Sequence, residues 1–234
     1  MQIDKFFEKI YIINLKRSCD RRSHIVKQFK ELGIDNYELL EGVDGSLINS
    51  ADPAWAGILD FQNFWKASVN ALACALSHVK LYEHVLAKTS YERILICEDD
   101  IVFCEDLNSR FEQIQKSICV DWDILHLHSH FPLHDPKQSR NRYRRRLNDH
   151  LHLGFNEGGG AMCYAVNRKC MKYLIDNAYP IDKSADGLTN WPSLPEFNEK
   201  TGLWDARGSL QAFVLWPFIC EHNHFPSTIG YEKI

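Results

Sequence analysis

The sequence predicts an α/β fold, a mostly parallel central sheet with helices on its faces. Three observations point there. Short β-rich apolar runs alternate with stretches of helical periodicity along the chain. The runs at 10–15 and 93–97 are apolar at consecutive positions, as strands covered on both faces are. An acidic cluster directly follows one of these runs, where α/β sheets place their ligands.

Residues 10–15 (Ile-Tyr-Ile-Ile-Asn-Leu) read as a buried first strand. Ser18-Cys19-Asp20 offers a cap for a helix from about 21 to 32, which Gly33 stops. Residues 37–40 read as a second strand, and Val43-Asp44-Gly45 turns out of it. Residues 46–67 are irregular and carry Trp55, Phe61, Phe64 and Trp65. They form either a loop over a cleft or aromatic packing on the core. Val69, Leu72, Leu76, Val79 and Leu86 recur at steps of three and four, so 68 to about 88 is a helix with Ser68 as its cap. A strand over 93–97 ends in Glu98-Asp99-Asp100, and Ile101-Val102-Phe103 is apolar again. A helix over 107–118 and a strand over 123–128 follow. The polar stretch 129–152 contains Arg140, Arg142, Arg144, Arg145 and Arg146. Gly158-Gly159-Gly160 introduces a strand over 161–166, and 169–177 is helical. A last apolar run, 212–219, is interrupted by Pro217. The 234 residues suit one sizeable α/β domain with a real core.

A net charge of −4 gives no global pull towards nucleic acid. No apolar run is long enough to span a bilayer, and the start Met1-Gln2-Ile3-Asp4-Lys5 lacks the pattern of a signal peptide, so a cytoplasmic location is expected. No two of the eight cysteines form a Cys-x-x-Cys pair, and several sit in apolar runs. They read as free buried thiols.

Glu98-Asp99-Asp100 is the strongest chemical signal. Three successive carboxylates at the end of a buried strand repel one another close to the core. A divalent cation offsets that repulsion, and hard oxygen ligands suit magnesium or manganese. The alternative is a solvated acidic loop. His78, after Ser77 on the long helix, is more often structural than functional in such a setting. Asn14-Leu15-Lys16-Arg17, with Arg21 and Arg22, puts cations just past the first strand, where they meet phosphate or only solvent. Gly158-Gly159-Gly160 lacks Walker or dinucleotide spacing and more simply permits a tight turn. His126, His128 and His130 would share one strand face. Glu221-His222-Asn223-His224 is a better candidate than these for completing a metal shell.

Taken in order, these segments resemble glycosyltransferase family 25, the group of lipopolysaccharide and collagen-type galactosyltransferases. Tyr11 to Arg17 followed by Asp20-Arg21-Arg22 is similar to the family's opening strand and Arg-rich turn. Glu41 to Gly45 resembles its Ala-Val-Asp-Gly segment, departing at Glu41 and Gly42. Ala73 to His78 resembles its Gly-Cys-x-x-Ser-His helix start, and Leu95 to Ile101 its Leu-Glu-Asp-Asp-Val signature. Gly159 to Arg168 is similar to its later Tyr-containing strand. Pro180-Ile181-Asp182 and Asp186 sit where the family has a Pro-Ile-Asp and a second Asp, and Pro226 to Gly230 is like its closing Ser-x-Ile. The likeness runs from about residue 8 to 230. Segments 46–67, 129–152 and 187–211 match nothing in it and are where acceptor recognition is expected to vary.

The resemblance implies a GT-A type, Rossmann-like fold. It implies inverting transfer of a sugar, most often galactose, from a UDP-sugar such as UDP-galactose to a glycan or glycolipid acceptor such as the lipopolysaccharide core. Asp100 would coordinate manganese or magnesium with His222 completing the shell, and Glu98 or Asp99 would contact the ribose or the sugar. Asn14, Leu15 and Arg17 would lie near the nucleotide, with Asp44, Ser77 and His78 lining the same pocket. Inversion needs a base for the acceptor hydroxyl. Asp186 is the first choice by its family position, and Glu157, before the glycine run, the second. The Arg140–Arg146 run would face an anionic lipid surface at the inner face of the membrane, or be an exposed loop without a partner. Two other classes stay open. One is a non-catalytic sugar-nucleotide or glycan-binding module of the same fold. The other is a metal-dependent phosphotransferase or nuclease, for which Asp123 and Asp205 are the only further carboxylates at strand ends.

Overall fold

A short helix, α1 (Ile3–Phe6), leads into β1 (Lys9–Asn14), whose Ile10, Tyr11, Ile12 and Ile13 are all buried. In this computed structural model the described residues are 2–62, 68–118, 120–129, 145–153, 160–190, 196–198, 203–205, 210–223 and 225–226. For 145, 153, 196–198 and 203–205 the description covers the backbone alone. Helix α2 (Cys19–Glu31) follows, and Gly33 ends that segment at φ +68°, a conformation glycine adopts without strain. Ser18 stands at the cap position, but its side chain makes no capping hydrogen bond. β2 (Tyr37–Glu41) then pairs in parallel with β1.

Helix α3 (Val69–Lys88) is capped as expected, Ser68 Oγ accepting from the Ala71 amide at 3.4 Å. β3 (Arg93–Glu98) and the short β4 (Ile101–Phe103) flank the acidic turn. The predicted 107–118 helix divides into α4 (Leu107–Ile114) and one 3₁₀ turn, Gln115–Ser117. β5 (Ile124–His126), β6 (Arg145–Arg146), β7 (Leu151–Leu153) and β8 (Cys163–Asn167) are followed by α5 (Arg168–Asp176), which Asn167 caps. Helix α6 (Ala185–Asn190), β9 (Glu196–Asn198), β10 (Leu203–Asp205), β11 (Ala212–Leu215) and β12 (Cys220–His222) complete the described elements. The run predicted over 212–219 stops at Leu215, because Pro217 cannot donate to a ladder.

The central sheet has the order β2-β1-β3-β8-β5-β11-β7-β6. Six of its strands run one way, and only β8 and β7 run against them. The fold is thus the Rossmann-like α/β arrangement that the alternation implied. One face packs on α1, α2 and α4 through Ile3, Ile25, Phe29 and Phe111. The other packs on α3, α5 and α6 through Leu76, Val79, Tyr82, Met171 and Leu188. Each such fully buried side chain contributes roughly 1.5–3 kcal/mol over leaving it in water.

Trp55 and Phe61 pack against the second of these cores, and Leu59 bridges to Ile181. The described part of the segment, 46–62, therefore sits on the core. Part of it lines a cleft of about 360 Å³ with Pro180, in which no residue of the acidic turn takes part. Phe64 and Trp65 lie outside the described residues. Cys97, Cys163, Cys170 and Cys220 are buried free thiols, as expected. Cys19, the first residue of α2, is exposed; Cys104, just past β4, and Cys74, within α3 beside Glu98, are half-buried. Among the described residues no helix is long and apolar enough to cross a membrane.

Candidate active site

Strand register sets the site. β1 and β3 are parallel with Ile13 opposite Glu98, so Asn14 comes level with Asp99. Asn14 Nδ2 donates to Asp99 Oδ2 at 2.6 Å and to the Ser18 carbonyl at 3.2 Å. Helix α2 starts at once and brings Arg21 beneath the same turn. Its Nη1 donates to Asp99 Oδ1 at 3.0 Å and to Asp100 Oδ2 at 2.7 Å, and its Nη2 to the Pro226 carbonyl at 2.6 Å. The guanidinium is buried and lies 5.6 Å from the Phe225 ring centroid. The cations past the first strand read in sequence as meeting phosphate or only solvent; Arg21 instead meets the acidic turn, and its guanidinium supplies part of the offset that the carboxylates need.

β12 pairs antiparallel with β4, and His222 falls opposite Ile101. His222 Nε2 is then 3.5 Å from Asp100 Oδ2, and the Asn223 amide donates to the Asp100 carbonyl at 2.6 Å. Among the described residues, Asp100 Oδ1 is buried without a hydrogen-bond partner. An orphaned buried carboxylate oxygen is costly. Beside Glu98, Asp99 and an imidazole, it fits a divalent cation of the oxygen-seeking kind. Burial, then the charge of Glu98, pushes the Asp100 carboxyl up to about 6, with Arg21 and His222 pulling the other way. Burial also raises Asp99, against its hydrogen bonds from Asn14 and Arg21. Glu98 behaves differently: burial would raise it, but the hydrogen bond and charge of His78 leave it below its ordinary value.

Helix α3 presents its polar edge to this turn. Ser77 Oγ donates to the Ala73 carbonyl at 2.8 Å and accepts from the Val43 amide at 2.8 Å, tying the segment after β2 to the helix. His78 Nε2 lies 3.3 Å from Glu98 Oε1, and Nδ1 lies 2.7 Å from the Tyr164 hydroxyl. A carboxylate can only accept, so Nε2 carries a proton and, in the neutral ring, Nδ1 accepts from Tyr164. The Tyr164 hydroxyl is bonded in turn to that of Tyr82. One turn before His78, Cys74 Sγ lies 3.8 Å from Glu98 Oε1. Burial first, and then the charges of Glu98, Asp100 and Asp186, push its thiol well up.

The other predicted residues divide. Arg17 Nε donates to Asp44 Oδ2 at 2.5 Å, holding that carboxyl below its usual range, so both are engaged at the exposed rim. Leu15 is half-buried and makes an apolar wall; a methyl added at Gly42 would lie 3.3 Å from its Cδ2. Asp186 lies half-buried on α6, which packs on α3, and its charge reaches Cys74. Glu157, Gly158, Gly159, His130, His224, Arg140, Arg142 and Arg144 lie outside the described residues. Arg146 is exposed and pairs with Asp149. His128 Nδ1 donates to the Cys220 carbonyl at 2.9 Å, and His126 lies against the Tyr164 ring, so these two hold the interior together. Asp123 stands before β5, at the end of the sheet away from the acidic turn, and is taken up by Lys169, Asn167 and the Gln211 amide. It offers a phosphotransferase no further carboxylate near Asp100.

Sequence reasoning missed the clamp role of Arg21, the Tyr164–Tyr82 pair and the Asn223 amide. A tyrosine in an otherwise apolar buried strand needs a hydroxyl partner, and that signal was present in Tyr164. Nothing local marks Asn223.

The sequence model of glycosyltransferase family 25, described as LPS biosynthesis proteins, matches residues 7–189. The chain belongs to glycosyltransferase family 25. The matched span holds Asn14, Arg21, His78, the acidic turn, Tyr164 and Asp186, while His222 lies beyond it. A putative glycosyltransferase of Acanthamoeba polyphaga mimivirus is 28% identical over 170 residues, 72% of this chain and 52% of that protein. Procollagen galactosyltransferase 2 of Mus musculus is 27% identical over 241 residues, 96% of this chain and 36% of that one. The inactive glycosyltransferase 25 family member 3 of Homo sapiens is 26% identical over 133 residues, 52% of this chain and 22% of it. The chain thus spans about half the length of the first of these relatives and less of the others.

Proposed function

We propose that this family 25 chain is an inverting, metal-dependent glycosyltransferase. It moves a sugar, first of all galactose, from UDP-galactose or another UDP-sugar to a hydroxyl of a glycan or glycolipid such as the lipopolysaccharide core. The observation that carries this reading is the buried oxygen of Asp100 that has no partner among the described residues, set among Glu98, Asp99 and His222 at the carboxyl end of β3. The name of the mouse relative supports galactose, and the family description supports a lipopolysaccharide acceptor.

Manganese or magnesium would be held by Asp100 and His222. Bound there, the ion supplies Lewis-acid neutralisation of charge on the departing UDP. The chain's own residues do the rest. Arg21 and Asn14 fix the two aspartates, so little reorganisation is left for the reaction. Glu98, kept ionised by His78, accepts from a donor hydroxyl. Arg17, at the exposed rim, turns from Asp44 to a phosphate. Asp186 or Glu157 takes the proton of the acceptor hydroxyl as the new bond to the anomeric carbon forms and the bond to UDP breaks. The chain acts as one catalytic domain on the cytoplasmic side, with Arg140–Arg146 facing anionic lipid. Arginine-to-serine changes there lower binding to anionic liposomes on this reading, and unchanged binding removes the membrane part of it.

The relatives named as inactive favour one second reading, a module that binds a UDP-sugar without transferring it. Calorimetric titration with UDP tests the part that both readings share. Binding that requires manganese and is lost in Asp100→Ala is expected. Equal binding by wild type and variant, with or without the ion, overturns the site. Sugar transfer to an acceptor then separates enzyme from module.

A further inference from the structure

Cys74, His78 and Glu98 bring a thiol, an imidazole and a carboxylate together, their ligand atoms all within 4.8 Å of one another. Cys74 and His78 are four residues apart on α3 and so share a face, while Glu98 closes the group from the end of β3. A tetrahedral zinc site spaces its ligand atoms about 3.3–3.6 Å apart, given bonds of about 2.0–2.3 Å. His78 Nε2 to Glu98 Oε1 is 3.3 Å, and Cys74 Sγ to the same oxygen is 3.8 Å. Two edges of the tetrahedron are already close to the required length.

The surroundings also suit a ligating imidazole. The far nitrogen of His78 is held by Tyr164 at 2.7 Å, and Tyr164 by Tyr82. A hydroxyl accepts as well as it donates. The ring can therefore carry its proton on Nδ1, donate it to Tyr164, and offer the Nε2 lone pair to a metal. That is the outer-shell hydrogen bond that ligating histidines ordinarily have.

We propose that Cys74, His78 and Glu98 form a second cation site, for thiophilic divalent ions of the zinc class, distinct from the oxygen-rich site of Asp100. Binding expels the thiol proton to solvent and moves the ring proton of His78 from Nε2, which faces Glu98, to Nδ1, which faces Tyr164. The thiolate, Nε2 and a Glu98 oxygen become three ligands, and water takes the fourth position. Donor chemistry keeps the two sites apart: thiolate and imidazole select zinc, cadmium or cobalt, and carboxylates select magnesium or manganese. Occupancy withdraws Glu98 from the donor, so zinc inhibits transfer; this consequence alone rests on the proposed role of Glu98.

The test is a cobalt titration of the full chain without donor, read by thiolate-to-cobalt charge-transfer absorption. Oxygen ligation at Asp100 cannot give that band. Wild type and Asp100→Ala are expected to show it, and zinc to abolish it. Cys74→Ser loses it, with cobalt affinity down at least about tenfold. No band in wild type, or an undiminished band in Cys74→Ser, overturns the site. A second measurement needs no substitution: cadmium protects Cys74 from alkylation, mapped by peptide mass spectrometry on the wild-type chain. Equal labelling with and without cadmium also overturns it. Failure of UDP to bind leaves both readouts untouched, so the two readings fail separately.

Discussion

Replacing Asp100 by Asn removes a charge that the fold holds at a cost. Its carboxyl is almost wholly buried, and burial with the neighbouring charge of Glu98 raises it from 3.8 to about 6. At about 1.4 kcal/mol per pH unit, ionising it in the fold at neutral pH costs on the order of 3 kcal/mol relative to the unfolded chain. The sign follows directly. A carboxyl raised in the folded state binds more protons there than in the unfolded state between those two values. Its contribution therefore favours the fold below about pH 4, is lost as pH rises to about 6, and is flat above. In EDTA at pH 7.5, Asp100→Asn should be more stable than wild type by about 1–3 kcal/mol, the amide standing in for the protonated acid. At pH 4 the gain should vanish. Manganese should reverse the order, stabilising wild type and leaving the variant unmoved. Urea denaturation at the two pH values, with EDTA or manganese, reads all of this. A variant less stable at both values by the same amount, or equally stabilised by manganese, would show that Asp100 is neither a strained charge nor a cation ligand.

Three further outcomes follow from particular contacts. Arg21→Met leaves Asp99 and Asp100 buried without their cation, and should cost about 3–5 kcal/mol in urea denaturation, partly recovered by manganese. Recovery in EDTA alone would contradict the clamp. Tyr164→Phe removes the hydroxyl shared by His78 and Tyr82, for a loss of about 1–3 kcal/mol and a lowered melting temperature; an unchanged Tm refutes the relay. Gly45→Ala puts a methyl 2.6 Å from the Cα of Asn70 at the start of α3, so that backbone must shift at a cost of about 1–3 kcal/mol. Wild-type stability in that variant would mean that the turn and helix are not in close contact.

The strands and long helix were legible because their signals are local. Apolar runs marked β1, β3 and β8, and the three-and-four spacing marked α3 to within a residue. The acidic turn was legible because three carboxylates after a buried strand are costly unless something is bound or paired there. What offsets them was not legible. Arg21 reaches Asp99 across 78 positions, and the same guanidinium in sequence reads equally well as a phosphate ligand. His222 beside Asp100 depends on the β4–β12 pairing, two three-residue strands whose patterns are too short to read. His78 was ambiguous for a related reason: burial makes a structural histidine and a functional one look alike until Glu98 and Tyr164 are seen on its two nitrogens.

The most direct test of the central claim is release of UDP from a panel of UDP-sugars, with and without manganese, by wild type and Asp100→Ala. Release from UDP-galactose that requires manganese and falls at least a hundredfold in the variant is the predicted result, a loss of about 2.7 kcal/mol of transition-state stabilisation. Release unaffected by the ion and by the substitution would contradict the account.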